Sequence, residues 1–448
     1  MLKKFIVENF SSFQTENTLD LTAGQTEVNP DHIVKFNKVK ILKSAILYGA
    51  NASGKSNLIK AIDYASKVIL KNLDSVDRYK KYFRLDKESS LKPTKFEFEL
   101  EINNKFFTYG FSSILSNKEI TEEWLYEIGK NTPEKVFERI NNDISLGKTL
   151  EKTFKNKFEI YAEDMKNQSS QLFLSEIANK QLSLEDNPEA KTINDIYDWF
   201  DKKLILLYPN TKFERKSLLI SDKELSTSFK KYLNEFDTGI KGIESIEEDF
   251  ETSLTDVPQE IKKQIEKDLL GKDTKDGKIV LEGENGLLYI ISKENNELKV
   301  QKLGLLHGLD SQDIFELKDE SDGTRRLFDL IPLINKFSQD FTIIIDEFDR
   351  SLHPMLTKQF FELFYKLNIE DSKTQLIITT HESTLLDLNL VRRDEIFFIE
   401  KNKHGASKLF SLNQFKVRYD SKIEKAYLLG RYGAIPIFKT FNEITMEN

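Results

Sequence analysis

The chain has 448 residues, of which 39% are hydrophobic and 31% are Asp, Glu, Lys or Arg, with a formal net charge of −8; this length is enough for roughly two to four domains and at least one large core. With no cysteine, disulfides, thiolate catalysis and cysteine-bound zinc are excluded, and the acidic balance restricts any nucleic-acid contact to a local patch or another subunit. No run of eighteen apolar residues and no charged-then-apolar leader occur, so no membrane contact is expected and the expected location is cytoplasmic.

The opening segment, Met1 to Phe13, alternates apolar and polar residues as an edge strand does. The apolar run Ala45-Ile46-Leu47-Tyr48 then leads into Gly49-Ala50-Asn51-Ala52-Ser53-Gly54-Lys55-Ser56, which fits G-x-x-x-x-G-K-[ST]. Two glycines let a tight loop turn its backbone N–H groups around an anion, and the following helix, beginning at Asn57, aims its positive dipole end at the same place. Lys55 supplies a charge for β- and γ-phosphates, and the Ser56 hydroxyl suits Mg²⁺. Lys95 to Ile102 and Phe106 to Phe111 alternate strictly and are expected as half-buried antiparallel strands.

Helical patterns follow at Ser169 to Gln181, Ile193 to Lys203 and Lys223 to Phe236, without an apolar heptad sustained over three or four repeats. The acidic, lysine-mixed stretch Glu244 to Lys278 is expected as a solvated face or loop. Ile279 to Ile291 reads as a hairpin with Asn285-Gly286 in its turn.

Three motifs come next. Ser321-Asp322-Gly323-Thr324 opens the amphipathic pattern Leu327 to Ile334; small polar residues and glycine at a helix N-terminus make an anion site, and they also make an ordinary cap. Phe341 to Glu347 is a β-branched apolar run ending in two carboxylates, the pattern of a buried parallel strand that delivers acids to a sheet edge. In the Walker B reading Asp346 holds Mg²⁺ and Glu347 orients or deprotonates the attacking water; the alternative is a strand that simply meets solvent. Gln375 to Thr380 is another buried strand, followed by His381, whose imidazole could bond a phosphate or water, although a histidine at a strand end is commonly structural. Glu395 to Glu400 is expected as a last strand, and Tyr427 to Pro436 is expected to close the domain.

In this order, the P-loop, an inserted segment, Ser321 to Thr324, Asp346 to Pro354 and Thr379 to Ser383 resemble the ABC/OLD-like AAA ATPases of prokaryotes, with SMC-type heads, and in particular the RloA-type ATP-binding proteins of phage-defence loci. Ser383 to Asp387 and Leu429 to Ala434 are similar to that branch specifically, while the insertion shows no match. The resemblance implies an α/β fold: an ABC-type P-loop ATPase head with a flanking antiparallel β layer and an inserted mainly helical lid domain. The lobes would be 1–148 and 301–448 and the insertion 149–300.

It implies ATP and Mg²⁺ as cofactors, nucleotide contacts by Gly49, Asn51, Ala52, Ser53, Gly54, Lys55, Ser56 and Asn57, and metal contacts by Ser56 and Asp346. Ser12 and Phe13 would lie beside base and ribose, although Phe10 and Phe13 suit a core equally. Glu347 and His381 would be catalytic, Asp349 and Ser351 would form the D-loop, and Ser321, Asp322, Gly323 and Thr324 would act on the nucleotide of a second copy. The Q-loop glutamine has Gln168 and Gln171 as candidates.

The implied assembly is a homodimer or a higher even oligomer that regulates a separate nuclease or toxin effector in anti-phage defence, with nucleic acid touched indirectly if at all. OLD-type nucleases carry a TOPRIM domain after such an ATPase, whereas residues 382–448 hold no spaced D-x-D cluster and Glu400-Lys401 lacks the E-x-K spacing of restriction nucleases, so no nuclease is expected. Two other readings stand beside this one. An SMC-like repair or recombination ATPase is disfavoured by the missing coiled coil and the negative charge, and a nucleotide-locked scaffold would act without turnover.

Overall fold

The computed structural model describes all residues except 27, 130–131, 149–158, 181–187, 213–218, 220–222, 255–256, 271–277, 283–287, 295–296, 308–313, 370–371, 416–421 and 436–448. The chain divides into two compact units, one of Met1–Pro209, Lys336–Asp349 and Phe361–Asn448, the other of Asn210–Asn335 and Arg350–Phe360.

The first unit is built on a six-stranded sheet in the order Leu204–Leu207, Thr342–Ile345, Gln375–Thr379, Ser44–Tyr48, Ile396–Lys401, Ser407–Ser411. All neighbours run parallel except the last pair. Every residue of Ser44–Tyr48, Thr342–Ile345 and Gln375–Thr379 is buried, which is why these segments read as continuous apolar runs rather than alternating ones. Helix Lys55–Leu70 buries Leu58, Ile59, Ile62, Ala65 and Ile69, a spacing of three and four that forms one apolar stripe.

A seven-stranded antiparallel sheet runs Asp143–Leu146, Pro133–Ile140, Glu119–Ile128, Lys105–Ile114, Thr94–Ile102, Leu2–Glu8, Asn17–Asp20. The opening strand, expected at an edge, is interior: Asn17–Asp20 folds back and pairs along it, opposite Thr94–Ile102. Phe5, Ile6 and Val7 are buried in succession, as an interior strand covered on both faces requires. Gln375 ties the two sheets together, its amide donating to Leu2 O at 2.7 Å and Leu42 O at 3.0 Å while its carbonyl accepts from Leu2 N at 2.6 Å.

Arg139 is fully buried and donates to the carbonyls of Asn141 (2.7 Å), Gln171 (2.6 Å) and Gln168 (3.2 Å). Near it the buried Glu123 accepts from Phe173 N at 2.6 Å, Leu174 N at 2.9 Å and Tyr109 OH at 3.0 Å, anchoring helix Phe173–Asn179. Burial pushes the Glu123 carboxyl above its ordinary range, against the pull of these donors and of Arg139.

In the second unit, Ile240–Asp249, Glu297–His307, Leu288–Glu294 and Lys278–Glu282 form an antiparallel sheet, with Ile314–Phe315 added on Glu297–His307. Phe250, Leu254, Val257, Ile265 and Leu269 pack with Tyr289, Ile291 and Val300 as its core. Of the two expectations for Glu244 to Lys278, a solvated face or a loop, the described residues form regular elements with a solvated face: most of strand Ile240–Asp249 and helix Gln259–Leu270. Its charges are dense in both elements, with Glu247, Glu248 and Asp249 consecutive in the strand, which hides the few inward-facing residues, such as Ile265 and Leu269, from a compositional reading.

The hairpin expected at 279–291 is present as Lys278–Glu282 paired with Leu288–Glu294, and its Asn285-Gly286 turn lies outside the described residues. The insertion expected over 149–300 thus holds a sheet as well as helices Lys223–Glu235 and Gln259–Leu270. Its expected limits do not coincide with the second unit, which spans 210–335 and 350–360. Among the described residues no helix is long and apolar enough to cross a membrane.

Candidate functional site

Beyond Tyr48 the chain turns through Gly49–Gly54 into helix Lys55–Leu70. Ala52 and Gly54 lie in the left-handed region, at φ +60° and +117°, and the helix start at Gly54 has no side-chain cap, so its first N–H groups remain available to an anion. A Cβ on Gly54 would collide with Ser407 Oγ and lie 2.8 Å from Ser12 Oγ, and one on Gly49 would strike Ile399 O. Both glycines are demanded by close neighbours.

Lys55 is buried and donates to Gly49 O at 2.7 Å and Ala50 O at 3.3 Å. Burial lowers its pKa to about 8, against the opposing charges of Asp346, Asp349 and Glu347. Among the described residues Ser53 Oγ is buried without a hydrogen-bond partner, an orphan of the kind a ligand oxygen satisfies.

Opposite the loop, Asp346 follows strand Thr342–Ile345 and is buried. Its Oδ1 accepts from Thr379 Oγ1 at 2.6 Å and from Ser56 Oγ at 3.2 Å. Thr379 Oγ1 in turn accepts from Glu347 N at 2.8 Å. Glu347 has φ +48°, a strained backbone for a residue with a long side chain. The His381 N–H donates to the Asp349 carboxylate at 3.2 Å, and burial, followed by the Lys55 charge, lowers the imidazole pKa, so the ring is neutral at pH 7. Asn51–Asn57, Glu347, His381 and Lys401 line one cavity of about 520 Å³, within the size range of small-molecule sites, roughly 300–1,000 Å³.

Ser12 touches this loop. Asn57 Nδ2 donates to Ser12 Oγ at 2.8 Å, Ser407 Oγ lies 2.7 Å from Ser12 Oγ and 2.6 Å from Ser53 O, and Ser407 N donates to Ser12 O at 2.7 Å. One proton per hydroxyl satisfies the chain Asn57 to Ser12 to Ser407 to Ser53. Phe13 takes the core role: it is fully buried among core side chains, and its backbone is bridged to Phe10. Gln168 and Gln171 lend their carbonyls to Arg139, and the Gln171 amide donates to Glu176 at 2.8 Å; neither lines the cavity.

Ser321–Thr324 and Ser351 belong to the second unit. Ser321 caps helix Asp322–Ile334, its Oγ accepting from Thr324 N at 3.1 Å, and Asp322 pairs with Arg325. A Cβ on Gly323 would come within 2.6 Å of Ser351 O, so the glycine admits the Ser351 backbone, itself left-handed at φ +63°. The reading from sequence singled out neither Thr379, Ser407 nor Lys401 as a site residue. Thr379 is a hydroxyl ending an apolar strand, a signal that was legible, while Ser407 and Lys401 depend on pairing with distant segments.

Residues 44–387 match the family described as "AAA domain, putative AbiEii toxin, Type IV TA system". No curated protein matches. Among similar solved structures are an SmcHead bound to the C-winged helix domain of ScpA (14% identity, 92% of this chain and 98% of that one, TM-score 0.41) and the SMC head domain from Thermotoga maritima (12%, 92% and 98%, 0.36). A third is the Smc head domain with an extended coiled coil bound to the C-terminal domain of ScpA derived from Pyrococcus furiosus (14%, 92% and 97%, 0.39).

Proposed function

This chain belongs to the AAA_21 family, and we propose that it is an ATP-hydrolysing switch that dimerises around ATP and regulates a separate nuclease or toxin effector in an anti-phage system. The observation that carries the ATPase reading is the convergence of the Ser56 and Thr379 hydroxyls on Asp346 Oδ1, beside the cavity that holds the P-loop, Glu347 and His381. In this reading the loop N–H groups and Lys55 receive the β- and γ-phosphates. Ser56 and Asp346 would hold Mg²⁺, an ion that uses one or two protein ligands and keeps several waters. When bound, the ion neutralises charge on the phosphates.

Glu347 orients the attacking water and accepts its proton, and neutral His381 supplies a hydrogen bond nearby. The Ser321 turn supports dimerisation, since the N-terminus of helix Asp322–Ile334 of one copy would seal the γ-phosphate of the other. The family description, which names a Type IV toxin–antitoxin system, supports the defence setting.

ATP turnover and light-scattering mass, measured for the wild type and Glu347→Gln, test this. The wild type is expected to turn over, and the variant to bind ATP, accumulate as a dimer and hydrolyse about a hundredfold more slowly or worse. Equal, near-zero rates would favour the scaffold reading. A monomeric mass with ATP in both proteins would remove the shared site, and purification from its native host without any nuclease or toxin would remove the effector.

A further inference from the structure

We propose that Lys401 is a second cation of the nucleotide site, one that binds the α- and β-phosphate end from the bank opposite the carboxylates. This rests on the ATP reading above and adds to it a residue outside the P-loop motif.

Strand Ile396–Lys401 pairs in parallel with Ser44–Tyr48, Phe398 opposite Tyr48. The register therefore brings Ile399 level with Gly49, whose missing Cβ makes room for Ile399 O. Two residues further on, Lys401 ends the strand, paired with Ser407, and lines the cavity with Asn51–Asn57. In the sheet, the strands leading to His381 and Asp346-Glu347 lie on one side of Ser44–Tyr48 and Ile396–Lys401 on the other, so the ammonium reaches the cavity from the flank away from the acids.

Strand alternation separates Lys401 from Glu400, which is turned away: its Oε2 accepts from Ala434 N at 3.3 Å. Among the described residues no carboxylate pairs with Lys401. Ser407, its cross-strand partner, bonds Ser53 O and Ser12 and so fixes this hairpin against the loop.

The placement divides the work between two lysines. Lys55, within reach of the charges of Asp346, Asp349 and Glu347, serves the end where hydrolysis occurs. Lys401 faces phosphate charge that the acidic bank and its metal leave uncompensated. ADP and ATP share that portion, so Lys401 contributes to the affinity of both.

Equilibrium binding of fluorescent ATP and ADP analogues to the full chain, with Mg²⁺, provides the test on wild type, Lys401→Gln, Lys401→Arg and Lys55→Ala. Lys401→Gln is expected to raise Kd about tenfold for both nucleotides, the loss of one charge-assisted contact, with an unchanged melting temperature in their absence and a weaker salt dependence. Lys401→Arg should retain most of the affinity. Unchanged Kd values in Lys401→Gln overturn the proposal, and so does a loss confined to ATP, which would move the contact to the γ-phosphate. Should the wild type bind neither analogue, the ATP reading itself fails.

Discussion

Thr379 Oγ1 donates to Asp346 Oδ1 at 2.6 Å, and because the same hydroxyl accepts from Glu347 N, one side chain fixes the acid we propose for the metal and the backbone of the proposed base. Replacing it with valine preserves shape and removes both bonds. Thr379→Val is expected to bind MgATP within a few-fold of wild type while turnover falls about tenfold, the worth of a net hydrogen bond of about 1–1.5 kcal/mol in a site. Steady-state kinetics with a Mg²⁺ titration checks this, and an unchanged kcat would exclude Thr379 from positioning.

Lys55 predicts a pH dependence of binding. In the free protein its pKa is lowered to about 8, and phosphates favour the ammonium, so the complex has the higher pKa. Affinity is therefore full below pH 8 and falls through the window above it, by up to about tenfold per pH unit, with proton uptake on binding. Calorimetry at pH 8.5 in buffers of different ionisation heat should register that uptake, whereas buffer-independent heats would contradict it.

His381 predicts the opposite limb. Its pKa lies below the ordinary 6.5, so the neutral ring is present at pH 7 and protonates only in more acidic solution. Turnover should be insensitive to the titration of His381 around pH 7 and decline only in more acidic solution, and His381→Gln should flatten that acid limb in a pH–rate profile.

Gly323 tests the second unit. Because a Cβ would meet Ser351 O at 2.6 Å, Gly323→Ala forces a backbone shift, expected to cost about 1–3 kcal/mol as overpacking does. Thermal unfolding should show the loss. An unaltered melting curve would mean that the two backbones separate without cost.

Arg139 tests the antiparallel sheet. Arg139→Leu leaves the carbonyls of Asn141, Gln168 and Gln171 without this donor and the buried Glu123 without a neighbouring cation, a change expected to cost about 3–5 kcal/mol. Urea unfolding measures it, and Glu123→Gln in the same background should recover part of the loss.

What the sequence disclosed was mostly local. The strand leading to Gly49 and the one leading to Asp346 were legible because burial on both faces writes itself as uninterrupted apolar residues, and the loop because phosphate geometry needs glycines at fixed spacing. The position of Leu2–Glu8 was not, since alternation is the same whether or not Asn17–Asp20 covers the strand. The strand and helix within Glu244 to Lys278 were obscured by charge density, and Ser407 and Lys401 by distance along the chain. Phe13 could have served either role by residue type, and only its packing decides for the core.

The bond between Ser12 and Ser407 spans 395 positions, and that distance has a consequence for biosynthesis. A ribosome delivering this polypeptide releases Lys55 early, yet the wall that braces its loop arrives only once Ser411 has left the exit tunnel. Nascent chains shorter than that hold a phosphate loop without its Ser407 brace, so the loop reaches its full set of hydrogen bonds only after this hairpin has emerged.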